Sequence, residues 1–230
     1  MTPREDALLL WFSEVGKSDA HLVGGKGASL GELYCELVPR GVRVPNGFTT
    51  TAVAYRRFLD AESSREDWIN VPEAEGLPKL RMEVLRASSL SDALQACFDG
   101  ANPDDQLEMH ARTKLARDII VATQVPNDVK GALRLGYERL CDEYGGEVDV
   151  AVRSSATVED LAHSSFAGLY RSVLDVDPAD PDALLDAVLS VFASLWHPQA
   201  VTYRGALGVD DHDIAMAVVL MRMVPAERAG

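Results

Sequence analysis

Residues suited to gripping a polyphosphate cluster in one short span of this 230-residue chain. Arg153-Ser154-Ser155-Ala156-Thr157 places a guanidinium beside three hydroxyls, and Gly168 follows soon after. A guanidinium stays charged and offers five donors in a rigid fork, which matches phosphate better than a lysine point charge does. Ser154, Ser155 and Thr157 add hydroxyl donors, and Gly168 lets a backbone approach a ligand with no Cβ in the way. The same residues admit a plainer reading, in which Arg153 pairs with Glu159 or Asp160 at a strand end and the serines satisfy a turn.

A second group lies far upstream. Gly24-Gly25-Lys26-Gly27 opens a helical pattern, and a helix N-terminus carries free N–H groups and partial positive charge that attract phosphate. Lys26 would add a mobile ammonium. Neither standard phosphate loop is present. A Walker loop would need glycine at Ala20 and a hydroxyl residue at Gly27, and the dinucleotide fingerprint would need glycine at Leu30. Taken alone, these glycines read more readily as a tight turn into a core helix.

The elements that must position these groups follow from periodicity. Residues 148–152 (VDVAV) alternate or run apolar with three β-branched valines, and predict a strand with Arg153 at its end. Residues 169–176 predict another. Leu30, Leu33, Tyr34, Leu37 and Val38 recur at three-four spacing, which predicts one buried face on the Lys26 helix. Pro45 and Asn46-Gly47 punctuate a strand and turn, and residues 51–59 read as a helix. Helical patches follow at 80–86, 91–98 and 107–121. Pro126-Asn127-Asp128 starts another expected helix, stopped by Gly145-Gly146, with Val129, Leu133, Tyr137, Leu140 and Tyr144 inward. Residues 182–196 form a strongly apolar helix broken by His197-Pro198. Arg204, on the next short helix, would serve phosphates or brace the fold by a salt bridge. The run 214–224 reads as a buried strand. The fold class is mixed α/β (α+β).

Composition narrows the partners. There are 36 acidic and 22 basic residues and a net charge of −14, which opposes nonspecific binding to nucleic acid or anionic membrane. No apolar run approaches the ~20 residues needed to span a bilayer. The start of the chain lacks a signal-peptide pattern. Cys35, Cys97 and Cys141 lie in helical patterns without metal-ligand spacing, as reduced core thiols do. A cytoplasmic domain is expected.

The wording and order of several blocks make a family visible. LLLWFSEVGKSDAHLVGGKGASLGEL, GVRVPNGFTTTAVAYRRFLD, VAVRSSATVEDLAHSSFAG, VFASLWHPQAVTYR and VVLMRMV resemble the N-terminal nucleotide-binding domain shared by phosphoenolpyruvate synthase, pyruvate phosphate dikinase and rifampicin phosphotransferase. Trp11-Phe12 and Val44-Pro45-Asn46-Gly47-Phe48 lean toward the synthases.

The resemblance implies the first lobe of an ATP-grasp-like site spanning residues 1–230, with a helical insertion at about 61–147. It implies that Lys26 and Arg153 contact ATP phosphates, with Ser154 and Thr157 beside them and the Gly168 segment covering them. It implies an adenine hinge at Met221, Met223 and Val224. In the family a second lobe supplies acidic Mg2+ ligands, so no metal ligand is expected in this chain. Further domains carry the phosphohistidine and bind pyruvate, so pyruvate would be reached only through domains absent here. ATP binding without pyruvate phosphorylation is therefore expected of this chain alone. An antibiotic phosphotransferase, or a nucleotide-binding module that completes a partner polypeptide, are the alternatives. Two positions depart from the family: Leu169-Tyr170 and Met221 stand where relatives often have glutamines.

Overall fold

Five short strands pair into one antiparallel sheet in the computed structural model, which describes residues 4–63, 65–157, 168–176, 180 and 182–224. They are β1 (Leu9–Trp11), β2 (Gly47–Thr50), β3 (Val150–Ala156), β4 (Ser172–Val176) and β5 (Met216–Arg222), in the order β1-β2-β5-β3-β4. The apolar run of β5 takes the centre. Its residues Met216 to Leu220 are fully buried, as expected for a strand covered on both faces.

The helices among the described residues are α1 (Ala20–Leu37), α2 (Ala52–Leu59), α3 (Arg65–Trp68), α4 (Pro78–Val84), α5 (Leu90–Phe98), α6 (Gln106–Ala122), α7 (Asn127–Tyr144), α8 (Ala183–Ser194) and α9 (Pro198–Leu207). Alternation along the strands sorts the side chains. Phe48, Val150, Val152, Ala156, Met216, Val218 and Leu220 join the large core with α8. The opposite face carries α1, whose Val23 and Ala28 pack with Leu10 and Val15 in a smaller cluster. Phe192 of α8 anchors the large core, with Tyr55 edge-on at 5.1 Å and Phe58 stacked at 5.6 Å. Burying such a ring contributes about 1.5–3 kcal/mol.

Most elements fall where periodicity expects them, and several are corrected. Thr51 caps α2, its hydroxyl accepting from Ala54 N, and Gly145 ends α7 at φ 76°. The strand expected over 148–152 instead runs to Ala156, because Ser154 and Ser155 continue the ladder opposite Val218 and Ala217. Arg153 therefore lies within a strand, not at its end. The inner face of α1 is also different. Gly24, Gly27, Ala28 and Gly31 are buried, whereas Leu33 is 48% exposed and Val38 38% exposed. Small residues let the helix sit close: a Cβ on Gly31 would lie 2.3 Å from Val15 Cγ2.

The cysteines are free, but only Cys97 is buried; Cys35 is exposed. Burial pushes the Cys97 thiol up to about 12, so it stays protonated and unreactive at neutral pH. No single helix among the described residues is long and apolar enough to cross a membrane.

Candidate phosphate-binding face

Lys26 reaches the backbone next to Arg153, although 126 residues of chain separate the two in the sequence. The junction depends on a break in α1. Gly24 has φ 70° and ψ 167°, so a short first helical piece ends there and a second starts with Gly25-Lys26-Gly27. Only glycine fits. Its φ disfavours other residues, and a Cβ would lie 2.1 Å from the carbonyl oxygen of Ser155 on β3.

Ser155 clamps the two elements together. Its hydroxyl donates to Val23 O at 2.7 Å and accepts from Gly27 N at 3.0 Å, thereby bridging both sides of the break. Lys26 Nζ then donates to Ser154 O at 3.2 Å, placing the ammonium beside the residue that follows Arg153. That carbonyl lies one position past the β3–β4 pairing, which stops at Arg153 opposite Ser172.

Arg153 alternates with Ser154, so it shares the face of Ser155 and α1. It is half-buried. Among the described residues its side chain has no carboxylate partner and no hydrogen bond. Its proposed pairing partners Glu159 and Asp160 lie outside the described residues. Across the sheet, Arg153 stands opposite Val219 of β5, which stands opposite Thr49 of β2. Gly27 packs over that row, within 3.4 Å of Thr49 Oγ1 for a Cβ built on it.

The other expected phosphate ligands take different positions. The Ser154 hydroxyl points to the core face, where it is buried without a hydrogen-bond partner; only its carbonyl serves the junction. The Thr157 hydroxyl accepts from Ala215 N at 3.1 Å, while Thr157 N donates to Ala215 O at 3.0 Å. It closes the end of the β3–β5 ladder. Gly168 is exposed at φ 78°, a left-handed turn position, with no protein atom within 4 Å of a Cβ built on it.

At the other end of β5, Met221 lies opposite Ala151 and Gly47. It shares the face of Val219 and is half-buried. Arg222 N donates to Asn46 O at 3.2 Å and Met223 N to Asp149 O at 2.9 Å. These two N–H groups are thus committed to the protein's own backbone. Val224, 58% exposed, stands just beyond.

Asn46 holds this end together, since its backbone N donates to Tyr144 Oη at 2.8 Å and its Nδ2 donates to Glu143 Oε2 at 2.7 Å. The Arg222 guanidinium covers the Tyr144 ring at 4.2 Å. Gly47 allows the close approach, for a Cβ there would lie 2.4 Å from Leu220 O.

Residues 20–230 match the pyruvate phosphate dikinase AMP/ATP-binding domain. The chain belongs to this family.

Relatives of this dikinase-family domain include phosphoenolpyruvate synthase of Synechocystis, 36% identical over 98% of this chain and 25% of its own length. The probable phosphoenolpyruvate synthase of Pyrococcus horikoshii is 35% identical, covering 96% of this chain and 27% of its own. The Escherichia coli phosphoenolpyruvate synthase is 35% identical, over 96% and 24%. The chain thus spans about a quarter of the length of these relatives.

Sequence reasoning for the dikinase-family domain missed two structural parts. Ser155 was one hydroxyl among three until the fold set it against Gly24 and Gly27. In sequence Asn46-Gly47 is only turn punctuation, and the link from Asn46 to Glu143 and Tyr144 spans nearly 100 residues of chain. A break glycine directly before Gly25-Lys26 is the signal that points to the first. Among the described residues no group of three His, Cys, Asp or Glu side chains is placed to hold a metal ion.

Proposed function

We propose that this chain is the nucleotide-binding lobe of a phosphoenolpyruvate synthase-like phosphotransferase, with ATP reaching from the Met221 end of β5 to Lys26 and Arg153. The arrangement on one face of the sheet carries this reading. Met221 marks the adenine end and Arg153, opposite Val219 two residues along β5, the phosphate end; both are half-buried, whereas Val219 and Ala217 are themselves fully buried. At about 3.3 Å per residue that step is roughly 7 Å, so a purine at Met221 would leave its phosphates within reach of the long Arg153 side chain.

In this reading the chain's own residues act by charge and position. Phosphoryl transfer requires little covalent chemistry from the protein, so preorganised cations supply most of its contribution. Arg153 would hold phosphate oxygens bidentately, and Lys26, fixed by Ser154 O, would neutralise a neighbouring oxygen. Met221, Met223 and Val224 would form an apolar wall for the purine. The committed N–H groups of Arg222 and Met223 leave that wall as their main offering. Mg2+ would arrive with the nucleotide and lower its charge; the described residues do not by themselves make up a metal site, and acidic ligands from a second lobe would complete it.

In the full reaction, ATP, pyruvate and water would give phosphoenolpyruvate, AMP and phosphate through a phosphohistidine on another domain. The relatives named above are synthases, which favours pyruvate over an antibiotic as the acceptor. The test is calorimetric titration of the 230-residue chain with Mg-ATP, AMP and adenosine. The expected order of affinity is ATP, then AMP, then adenosine, with ATP binding weakening as salt rises. Equal affinities for ATP and adenosine, or no heat with ATP, would count against phosphate recognition.

A further inference from the structure

We propose that Ser155 is a positioning residue for the phosphate site, fixing where Lys26 stands relative to Arg153. The proposal rests on the nucleotide-binding reading above and names the part of the chain that sets the site's geometry.

Lys26 and Arg153 belong to different elements, and a cationic pair acts on one phosphate group only when its spacing is held. Long side chains on independently moving elements would lose that spacing, together with much of the benefit of preorganisation. The hydroxyl of Ser155 is the bridge. It is fully buried, two residues along β3 from Arg153, and it binds one group on each side of the α1 break, Val23 O and Gly27 N. Gly27 immediately follows Lys26, so fixing its N–H fixes the peptide that carries the lysine.

The same bond has a second consequence. Gly27 N–H is one of the first donors of the second helical piece, and Ser155 Oγ already occupies it. The phosphate would therefore be held by the two side-chain cations and not by this amide. Removing the hydroxyl would free two backbone groups in a buried place, where an unsatisfied group is costly, and the helical piece would shift to recover partners.

Gly24 is the counterpart on the helix side. Its backbone lies against the Ser155 carbonyl so closely that a methyl group would overlap it. Gly24→Ala would thus open the same junction by steric pressure with the Ser155 hydroxyl intact.

The experiment compares wild type, Ser155→Ala, Gly24→Ala and Arg153→Ala by calorimetry with Mg-ATP and with adenosine, alongside melting curves and amide exchange at Gly27. The expected result is that Ser155→Ala weakens Mg-ATP about tenfold and changes adenosine less than about twofold, with Gly24→Ala changing affinity in the same sense. Gly27 N–H, protected in wild type, should exchange faster in Ser155→Ala. Equal losses for ATP and adenosine, or unchanged ATP affinity in Ser155→Ala while Arg153→Ala loses it, would overturn the proposal and leave the nucleotide reading standing. A Ser155→Ala chain without a cooperative melting transition would make Ser155 a folding residue and also overturn it. Wild type and Arg153→Ala with the same ATP affinity would instead remove the nucleotide reading itself, and the proposal with it.

Discussion

Arg153→Ala is expected to weaken Mg-ATP binding by about ten- to a hundredfold while leaving the melting temperature nearly unchanged. The first half follows from the loss of charge-assisted bonds, each worth about 1.5–3 kcal/mol, where about 1.4 kcal/mol is tenfold in affinity. The second half follows from the residue's surroundings. Arg153 is half-buried and among the described residues engages no carboxylate or carbonyl, so its removal strands no partner. Its neighbours in the ladder, Val219 and Ser172, pair through the backbone, which alanine preserves. Titration calorimetry and a thermal melt on the same sample check both halves.

Arg204→Ala should do the reverse. Arg204 is 1% exposed. Its Nε and Nη2 reach Asp211 Oδ1 at 2.8 Å, its Nη1 donates to Leu195 O, and its guanidinium lies 5.4 Å from the Trp196 ring centre. The arginine ties α9 to the end of α8 and to the turn that leads into β5. Truncation leaves a buried carbonyl unpaired and a cavity beside Trp196. Losing one partner of a fully buried pair costs about 3–5 kcal/mol. The Asp211 side chain is 39% exposed and rehydrates, so about 2–3 kcal/mol is the better figure. For a chain of this size that corresponds to roughly 4–12 °C in melting temperature. Below that temperature, Mg-ATP affinity should stay within about twofold of wild type, because Arg204 braces the core side of the sheet. A large loss of ATP affinity in the folded Arg204→Ala chain would place it in the phosphate site after all.

The contrast between these two arginines marks where sequence stops being informative. Both sit near polar residues in otherwise apolar segments, and type alone gives each the choice between phosphate and salt bridge. What separates them is tertiary: Asp211 is seven residues from Arg204 but approaches it only because the chain turns back at Gly208, which has φ 65°. Lys26 and Arg153 were legible as candidates because glycines flank the one and hydroxyls the other.

The details of their site were less legible. Periodicity favoured Leu33 and Val38 as the inner face of α1, since leucine and valine usually seek burial. The observed face of Gly24, Gly27, Ala28 and Gly31 wins by close approach to the sheet, a preference that hydrophobic periodicity does not register. Ser154 and Ser155 look alike in sequence, yet strand alternation sends one hydroxyl into the core and the other to the α1 junction. Once β3 is known to extend through Ala156, that assignment follows from the two-residue repeat alone.

The most direct measurement is a crystal structure of the chain with Mg2+ and a non-hydrolysable ATP analogue. The nucleotide should have its purine against Met221 and phosphate oxygens within about 3 Å of both Lys26 Nζ and the Arg153 guanidinium. A nucleotide bound on another face, or one whose phosphates touch neither cation, would contradict the account.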